Sequence, residues 1–349
     1  MRGVVFTGDR TLELTDIPDP APGPMDVVLE MKASGLCGSD LKFYRAPKDF
    51  SFATLGLKQP EGPVIAGHEP CGVVAAVGRD VPASNWRQGD RVMVHHYYGC
   101  NICPHCRTGW TQMCVEGATV YGVNGHGGHA PYMKVPASTL VRLPEALSYS
   151  TGAAISCGTG TAFGALVRMG VTARDTVVIV GQGPVGLSGT QIAAAMGARV
   201  IAVDINPERA RRAADFGAAD TIDASAADPV ETVRALTGGR GASRTMDTSG
   251  TAAGRSVAVR AAAAWGVVGL VGEGGTMTVE VSPEILRKQL TIVGSWTFNT
   301  VGQAECAQFI ARHGIAVDAL FSDRWSLDQA REAYVKFDGQ ASGKAVFVM

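Results

Sequence analysis

No apolar run in the 349 residues approaches the roughly 18 that a membrane helix needs. Excess charge is missing as well. The formal net charge of −1 leaves no electrostatic footprint for nucleic acid or a membrane surface. The opening stretch MRGVVFTGDRTLEL lacks the basic start and apolar core of a signal peptide and reads as a strand and a turn. Neither a repeat with a period of about 20–50 residues nor a low-complexity tract is present, which excludes a repeat architecture. What remains, 46% hydrophobic and 18% charged residues with 44 glycines, is the composition of an α/β enzyme. The length exceeds one ordinary core and predicts two domains. There are eight cysteines, and six fall in metal-ligand patterns. That usage predicts thiols in a reducing cytoplasm rather than disulfides.

The most informative stretch is 177–204. A β-branched run, Val177 to Val180, enters the turn Gly181-Gln182-Gly183-Pro184-Val185-Gly186. A small-residue helix follows to Gly197, and a second apolar run, 200–203, stops on Asp204. Strand, spaced glycines, helix, strand and acid in this order form the βαβ dinucleotide fingerprint. Gly181 permits the tight turn, Gly183 lets the backbone approach a pyrophosphate, and Gly186 lets the helix lie close to the strand. Pro184 and Val185 belong to the turn, and the N-terminus of the helix that follows offers its unpaired N–H groups to the phosphates. Asp204 would accept the adenosine ribose hydroxyls and repel a 2′-phosphate, so NAD is expected over NADP. Arg209, in the next helix, would soften that preference.

Residues 1–150 read as β-rich, with short alternating runs between Pro and Gly clusters. Residues 149–169 read as helices leading into the nucleotide domain. Further β/α alternation supplies strands near 221–222, 245–248, 265–271 and 292–295, with helices at 207–216 and 229–236. Together they suffice for a six-stranded doubly wound sheet. Helix and a closing strand at 345–349 end the chain.

The first domain carries two cysteine patterns. Cys100, Cys103, Cys106 and Cys114 put four thiolates on one short lobe, which predicts a closed, structural tetrahedral zinc site. His105 lies inside the lobe, but the four cysteines already fill the shell. Cys37-Gly-Ser39-Asp40, Gly67-His68-Glu69 and Cys157-Gly-Thr-Gly are dispersed, and singly each is weak.

Taken together, CGSD (37–40), GHE (67–69), GDRV (89–92), the four-cysteine lobe, CGTGTA (157–162), GQGPVG (181–186), VGEGG (271–275) and GKAVF (343–347) carry a resemblance. The chain resembles the zinc-dependent medium-chain alcohol/polyol dehydrogenases over nearly its whole length. The resemblance implies a GroES-like catalytic domain from 1–152 and 297–349, a Rossmann domain over 153–296 and an active site in the cleft between them. It implies two zinc ions per chain, the second held by Cys37, His68 and Cys157 with an open fourth position. Glu69 would be an alternate ligand and Asp40 the partner of His68. Thr161 would contact the nicotinamide, Val271 would belong to the cofactor site, and Lys344 would approach the pyrophosphate. A homo-oligomer, dimer or tetramer, is also implied.

In such a site zinc lowers the pKa of a bound alcohol, whose carbon gives a hydride to the nicotinamide. Ser39, two residues from a zinc ligand, reads as first proton acceptor; the alternative is a hydroxyl bonded to its own backbone. Many relatives carry histidine three residues after that serine, and here the position is Lys42. Either Lys42 ends the proton relay or it is a surface or ribose contact; His95 and His96 either substitute for it or, flanked by Tyr97 and Tyr98, are pocket walls or core. His126 and His129 read as shaping a glycine-rich turn. Phe43, Tyr44, Trp110 and Trp296 are candidates for the substrate wall, though aromatics in such a chain are more often core. Three functions compete: an alcohol or polyol dehydrogenase, a threonine-dehydrogenase-like enzyme on an amino alcohol, and a cofactor-binding protein with vestigial catalysis.

Overall fold

The structure, a computed structural model, describes residues 1–339 and 343–349. The chain separates into two compact units. Unit 1 is Met1–Cys157 with Asn299–Arg312 and Ala316–Met349; unit 2 is Gly158–Phe298 with His313–Ile315. The first boundary falls after Cys157 rather than after residue 152. The helical stretch expected at 149–169 breaks there into Tyr149–Ile155 and Gly158–Arg168.

Unit 1 is built on a seven-stranded sheet. Phe321–Trp325, Lys344–Val348, Asp26–Leu36, Glu69–Val77, Arg91–Val94 and Leu140–Arg142 lie side by side, and Tyr132–Pro136 also pairs with Asp26–Leu36. Most pairs are antiparallel, and alternation follows where one face is solvated. In Tyr132–Pro136, Met133 and Val135 are buried while Tyr132 and Lys134 are exposed. The closing strand runs Lys344–Val348 and places Lys344 at its inner end.

Unit 2 holds six parallel strands in the spatial order Asp220–Asp223, Arg199–Asp204, Thr176–Val180, Ala242–Asp247, Ala262–Leu270, Thr291–Gly294. Numbered along the chain, that order is 3-2-1-4-5-6, the doubly wound arrangement that binds ligands where it reverses, here beside Thr176–Val180. Val177, Val178 and Ile179 are fully buried because both faces of this strand are covered. Each such side chain contributes about 1.5–3 kcal/mol of burial. The helix expected over 207–216 is helical at Pro207–Arg212 and tightens into a single narrow turn at Ala213–Phe216.

Candidate functional site

Cys37 follows the end of strand Asp26–Leu36, and His68 directly precedes strand Glu69–Val77. Those two strands are neighbours, paired at Gly35 and Glu69. Cys157 lies in the break between the two helices. Three positions far apart in sequence thereby converge. The ligand atoms of Cys37, His68, Glu69 and Cys157 all lie within 4.8 Å of one another. Two thiols and one imidazole are the donor set of an open, catalytic type of zinc site.

Asp40 organises this set. Its carboxylate accepts from the Cys37 N–H at 2.8 Å and the His68 Nδ1–H at 2.6 Å, which turns His68 Nε2 toward the thiols. Ser39 Oγ stands 3.0 Å from His68 Nε2 and 3.3 Å from Cys37 Sγ. It makes no side-chain bond to the helix Asp40–Tyr44 that it caps, so the alternative of a self-bonded hydroxyl does not describe it. Lys42 is exposed on the same helix.

The electrostatics suit a cation. A hydrogen bond from Cys157 outweighs burial and, with His68 alongside, holds the Cys37 thiol well below its usual range. The same bond and burial push Cys157 up. Burial opposes a charged His68, yet Asp40 and Cys37 hold its ring well above the ordinary value. Binding a metal here therefore releases protons.

Lys344 differs from expectation. Its ammonium is buried, 2.5 Å from Glu69 Oε2, and donates to the Leu36 carbonyl at 3.2 Å. A cation committed to a buried carboxylate is not one presented to a pyrophosphate, so Lys344 belongs to the metal set's surroundings. Burial pushes Glu69 up to about 8 against the pull of Lys344. Burial would lower Lys344, but Glu69 and Cys37 hold it above its usual value. Gly35 makes room for this pair, since a Cβ there would collide with Glu69 Oε2.

The histidines also separate. His96 Nδ1 donates to the Ser156 carbonyl at 2.8 Å, and its ring centroid lies 5.1 Å from that of His68. His95 is fully buried near Gln303 and Gln112, and burial pushes it down to about 4. His129 does not merely shape a turn. It is fully buried, with Nδ1 2.8 Å from Ser34 Oγ and Nε2 2.8 Å from the Tyr334 hydroxyl. Tyr44 is core, packed on Phe6 and Tyr334, while Phe43 stacks on Phe52.

The sulfurs of Cys100, Cys103, Cys106 and Cys114 form a second set within 4.8 Å. Backbone N–H groups converge on them: Cys103 N to Cys100 Sγ at 3.3 Å and Cys100 N to Cys114 Sγ at 3.2 Å. Donors from Cys106 and Val115 draw Cys103 down to about 6. His105 is exposed and outside the set.

In unit 2 the glycine turn has the geometry that its sequence predicts. Gly181 sits at φ +90°, a Cβ on Gly186 would collide with the Gly181 carbonyl, and a Cβ on Gly183 would meet nothing within 4 Å. Gly183 thus leaves open space at the head of helix Pro184–Ala195, as a pyrophosphate requires. Asp204 accepts from Gln182 N at 2.6 Å and from Asn206 N at 2.8 Å, which orients both oxygens. The Gln182 side chain, unremarked in the sequence, braces the turn through Ile179 O and Thr190 Oγ1. Thr161 is half-buried in helix Gly158–Arg168, and Arg209 is half-buried in Pro207–Arg212. Val271 is buried, with its N–H on Asp247 O at 3.0 Å. Arg255 holds the loop after it by donating to the carbonyls of Gly272, Gly274 and Thr276.

Two family models match the chain, one described as an alcohol dehydrogenase GroES-like domain over 23–145 and one as a zinc-binding dehydrogenase over 184–313. The chain is 36% identical to an uncharacterized zinc-type alcohol dehydrogenase-like protein, YphC, of Escherichia coli, over 99% of this chain and 98% of that protein. It is 30% identical to an L-threonine 3-dehydrogenase of Symbiobacterium thermophilum, over 96% and 93%. The solved alcohol dehydrogenase TADH from Thermus sp. ATN1 superposes with a TM-score of 0.88 at 29% identity, covering 100% of this chain and 99% of that one.

Proposed function

The chain belongs to the zinc-dependent medium-chain alcohol dehydrogenases, and on that premise we propose that it oxidises a secondary alcohol or polyol to a ketone or aldehyde with NAD. The observation that carries this reading is the convergence of Cys37, His68 and Cys157 on one point, with Ser39 beside it. A protein retired to cofactor binding has no use for three ligands and an oriented Asp40.

A zinc ion held by Cys37, His68 and Cys157 would supply Lewis acidity to the substrate hydroxyl. A nicotinamide dinucleotide at the glycine turn would supply two-electron oxidising power. The protein's own groups do the rest. Asp40 fixes the ring of His68. Ser39 Oγ would accept the substrate hydroxyl proton while passing its own hydroxyl proton on to a cofactor ribose hydroxyl or solvent, so that the side chain stays neutral and only relays the proton. Lys344 holds the Glu69 carboxylate beside the ligands, where it is available as an alternate donor. Lys42 is exposed, and since only a desolvated lysine makes an effective base, it is read as a surface or ribose contact.

The oriented carboxylate of Asp204 supports NAD over NADP. Its remaining lone pairs suit ribose hydroxyls, whereas a 2′-phosphate would meet a buried negative charge. Gly181, Gly183, Pro184, Val185 and Gly186 would hold the pyrophosphate, with Thr161, Arg209 and Val271 around the dinucleotide. The four-cysteine lobe would hold a second, structural zinc. The free edge of the six-stranded sheet, Thr291–Gly294, exposes Ile292, and Trp265 on the neighbouring strand is 76% exposed. An uncovered apolar edge favours pairing with a second copy, which supports a homo-oligomer measurable by light scattering. Ligand-forming cysteines support a cytoplasmic setting, and among the described residues no helix is long and apolar enough to cross a membrane.

Metal analysis and a screen of secondary alcohols, polyols and threonine with an NAD-reduction readout test the proposal. Two zinc ions per chain and turnover with NAD are expected. A single zinc, or equal kcat/KM with NAD and NADP, overturns it.

A further inference from the structure

The six-stranded sheet has two halves about Thr176–Val180. Arg199–Asp204 and Asp220–Asp223 lie on one side, and Ala242–Asp247, Ala262–Leu270 and Thr291–Gly294 on the other. A dinucleotide laid across such a switch point places one nucleotide on each half. Asp204 ends the first strand of one half, so the loops leaving Ala242–Asp247 and Ala262–Leu270 belong to the side of the other nucleotide. These loops, 248–250 and 271–276, form neither helix nor strand.

A buried ion pair joins them. Asp247 is the last residue of its strand and fully buried, and its Oδ2 lies 3.6 Å from Nε of Arg255 in helix Ala252–Ala261. The Asp247 carboxylate accepts from Ser249 N at 3.0 Å, Ser249 Oγ at 2.6 Å and Gly250 N at 3.2 Å, which folds the first loop back over the strand end. Its backbone carbonyl accepts from Val271 N and Gly272 N, both at 3.0 Å. Arg255 takes the second loop. Its Nη2 donates to the carbonyls of Gly272 at 2.7 Å and Gly274 at 2.5 Å, and its Nη1 to that of Thr276 at 3.3 Å. The bonds leave from two nitrogens of a planar fork, a spread that the single nitrogen of a lysine does not cover.

Close packing makes the two loops one body. A Cβ on Gly250 would lie 2.4 Å from the Glu273 carbonyl, and one on Gly272 would lie 2.2 Å from Gly250 N. The first loop is tied in turn to the glycine turn: Thr248 Oγ1 donates to the Gly181 carbonyl at 2.7 Å, and Thr248 N to the Val180 carbonyl at 2.9 Å. Without the clamp, the glycines at 272, 274 and 275 would leave the second loop many conformations to lose on binding.

We propose that Arg255 and Asp247 are positioning residues for the dinucleotide: they set both loops in their binding shape before the cofactor arrives, on the half of the site opposite Asp204. The inference rests on the reading of the glycine turn as a dinucleotide site. It adds a buried pair that acts on the nicotinamide end through the loops rather than by contact.

Hydrogen exchange on the zinc-loaded wild-type chain is the first test. The amides of Ser249, Gly250, Val271 and Gly272 should be protected without cofactor. Free exchange until NADH is added would mean that the ligand orders the loops, and overturns the proposal. Arg255→Lys, which keeps the charge and loses the fork, is the second. Its affinity for NADH should fall about tenfold, the scale of one charge-assisted bond, while its affinity for ADP, the adenosine half alone, should stay within about twofold. Asp247→Asn should show the same split. Equal losses for NADH and ADP in a folded variant would make the pair a general stabiliser, and an unchanged NADH affinity would leave the loops independent of it; either result overturns the proposal. A wild-type protein that binds neither NADH nor ADP sinks the underlying reading of the glycine turn instead.

Discussion

All eight cysteines and every histidine except His313 fall in unit 1, whereas unit 2 is organised around a parallel sheet of buried Val, Ile and Ala. Unit 1 places polar groups in its interior and satisfies them with one another: Asp40 with His68, Lys344 with Glu69, His129 with Tyr334. Losing one partner there strands a buried group, which costs about 1–3 kcal/mol or more if charged. Unit 2 depends on close approach, as at Gly186 against the Gly181 carbonyl, and places its buried carboxylates Asp175, Asp204 and Asp247 at strand ends. Interiors of the two kinds should fail differently.

The largest contrast is expected from Cys157→Ser. Activity should fall to background and the zinc count from two to one, while the lobe zinc and the fold survive. Loss of both zinc ions together, or a collapsed melting transition, would mean that the two cysteine sets are not independent. A mild chelator should reproduce the result, silencing activity before it lowers the melting temperature.

Asp204→Ser strikes the other unit. Removing charge-assisted bonds worth about 1.5–3 kcal/mol each should raise the KM for NAD roughly tenfold or more and narrow the preference over NADP. The zinc count should remain at two. An unchanged KM would remove Asp204 from the cofactor site.

A smaller effect concerns acid. His95 has a folded pKa pushed down by burial to about 4, below the unfolded value near 6.5. The unfolded chain therefore takes up the proton first. The stability this neutral ring permits is present above about pH 6.5 and is lost as pH falls toward 4. His95→Gln should flatten the fall in melting temperature across that window, and an identical slope in the variant would assign the acid sensitivity elsewhere.

The smallest change is expected from Lys42→Ala, less than about twofold in kcat, against the tenfold or more that a general base contributes. A pH–rate profile that moves in Lys42→Ala as it does in Ser39→Ala would restore lysine to the relay.

Legibility in the sequence follows the same division. The glycine turn, the strand run 177–180 and Asp204 could be read because their physics is local: a periodicity, a left-handed glycine, a helix start. The four-cysteine lobe was readable for the same reason, with all ligands inside one short loop. The meeting of Cys37, His68 and Cys157 was expected only from the resemblance, since paired strands bring Cys37 and His68 together and a helix break brings in Cys157, none of which a local pattern encodes. Lys344 was misplaced because its partner Glu69 lies at the other end of the chain, and a lysine beside a glycine reads equally well as a phosphate contact. His129 and Tyr334 sit 205 residues apart and left no signal. A glycine-rich context made His129 look like a turn residue.

Gly35 carries a consequence for variation. Its missing side chain is the space that the Glu69 carboxylate occupies, on the neighbouring strand and in direct register. In a saturation library, alanine at 35 should be rejected as firmly as loss of a metal ligand, although the position meets neither metal nor substrate. It should become tolerated when position 69 shrinks in the same clone. The two positions should thus behave as one heritable unit, so that a mutational map would mark an ordinary-looking strand glycine as part of the centre's genetic footprint.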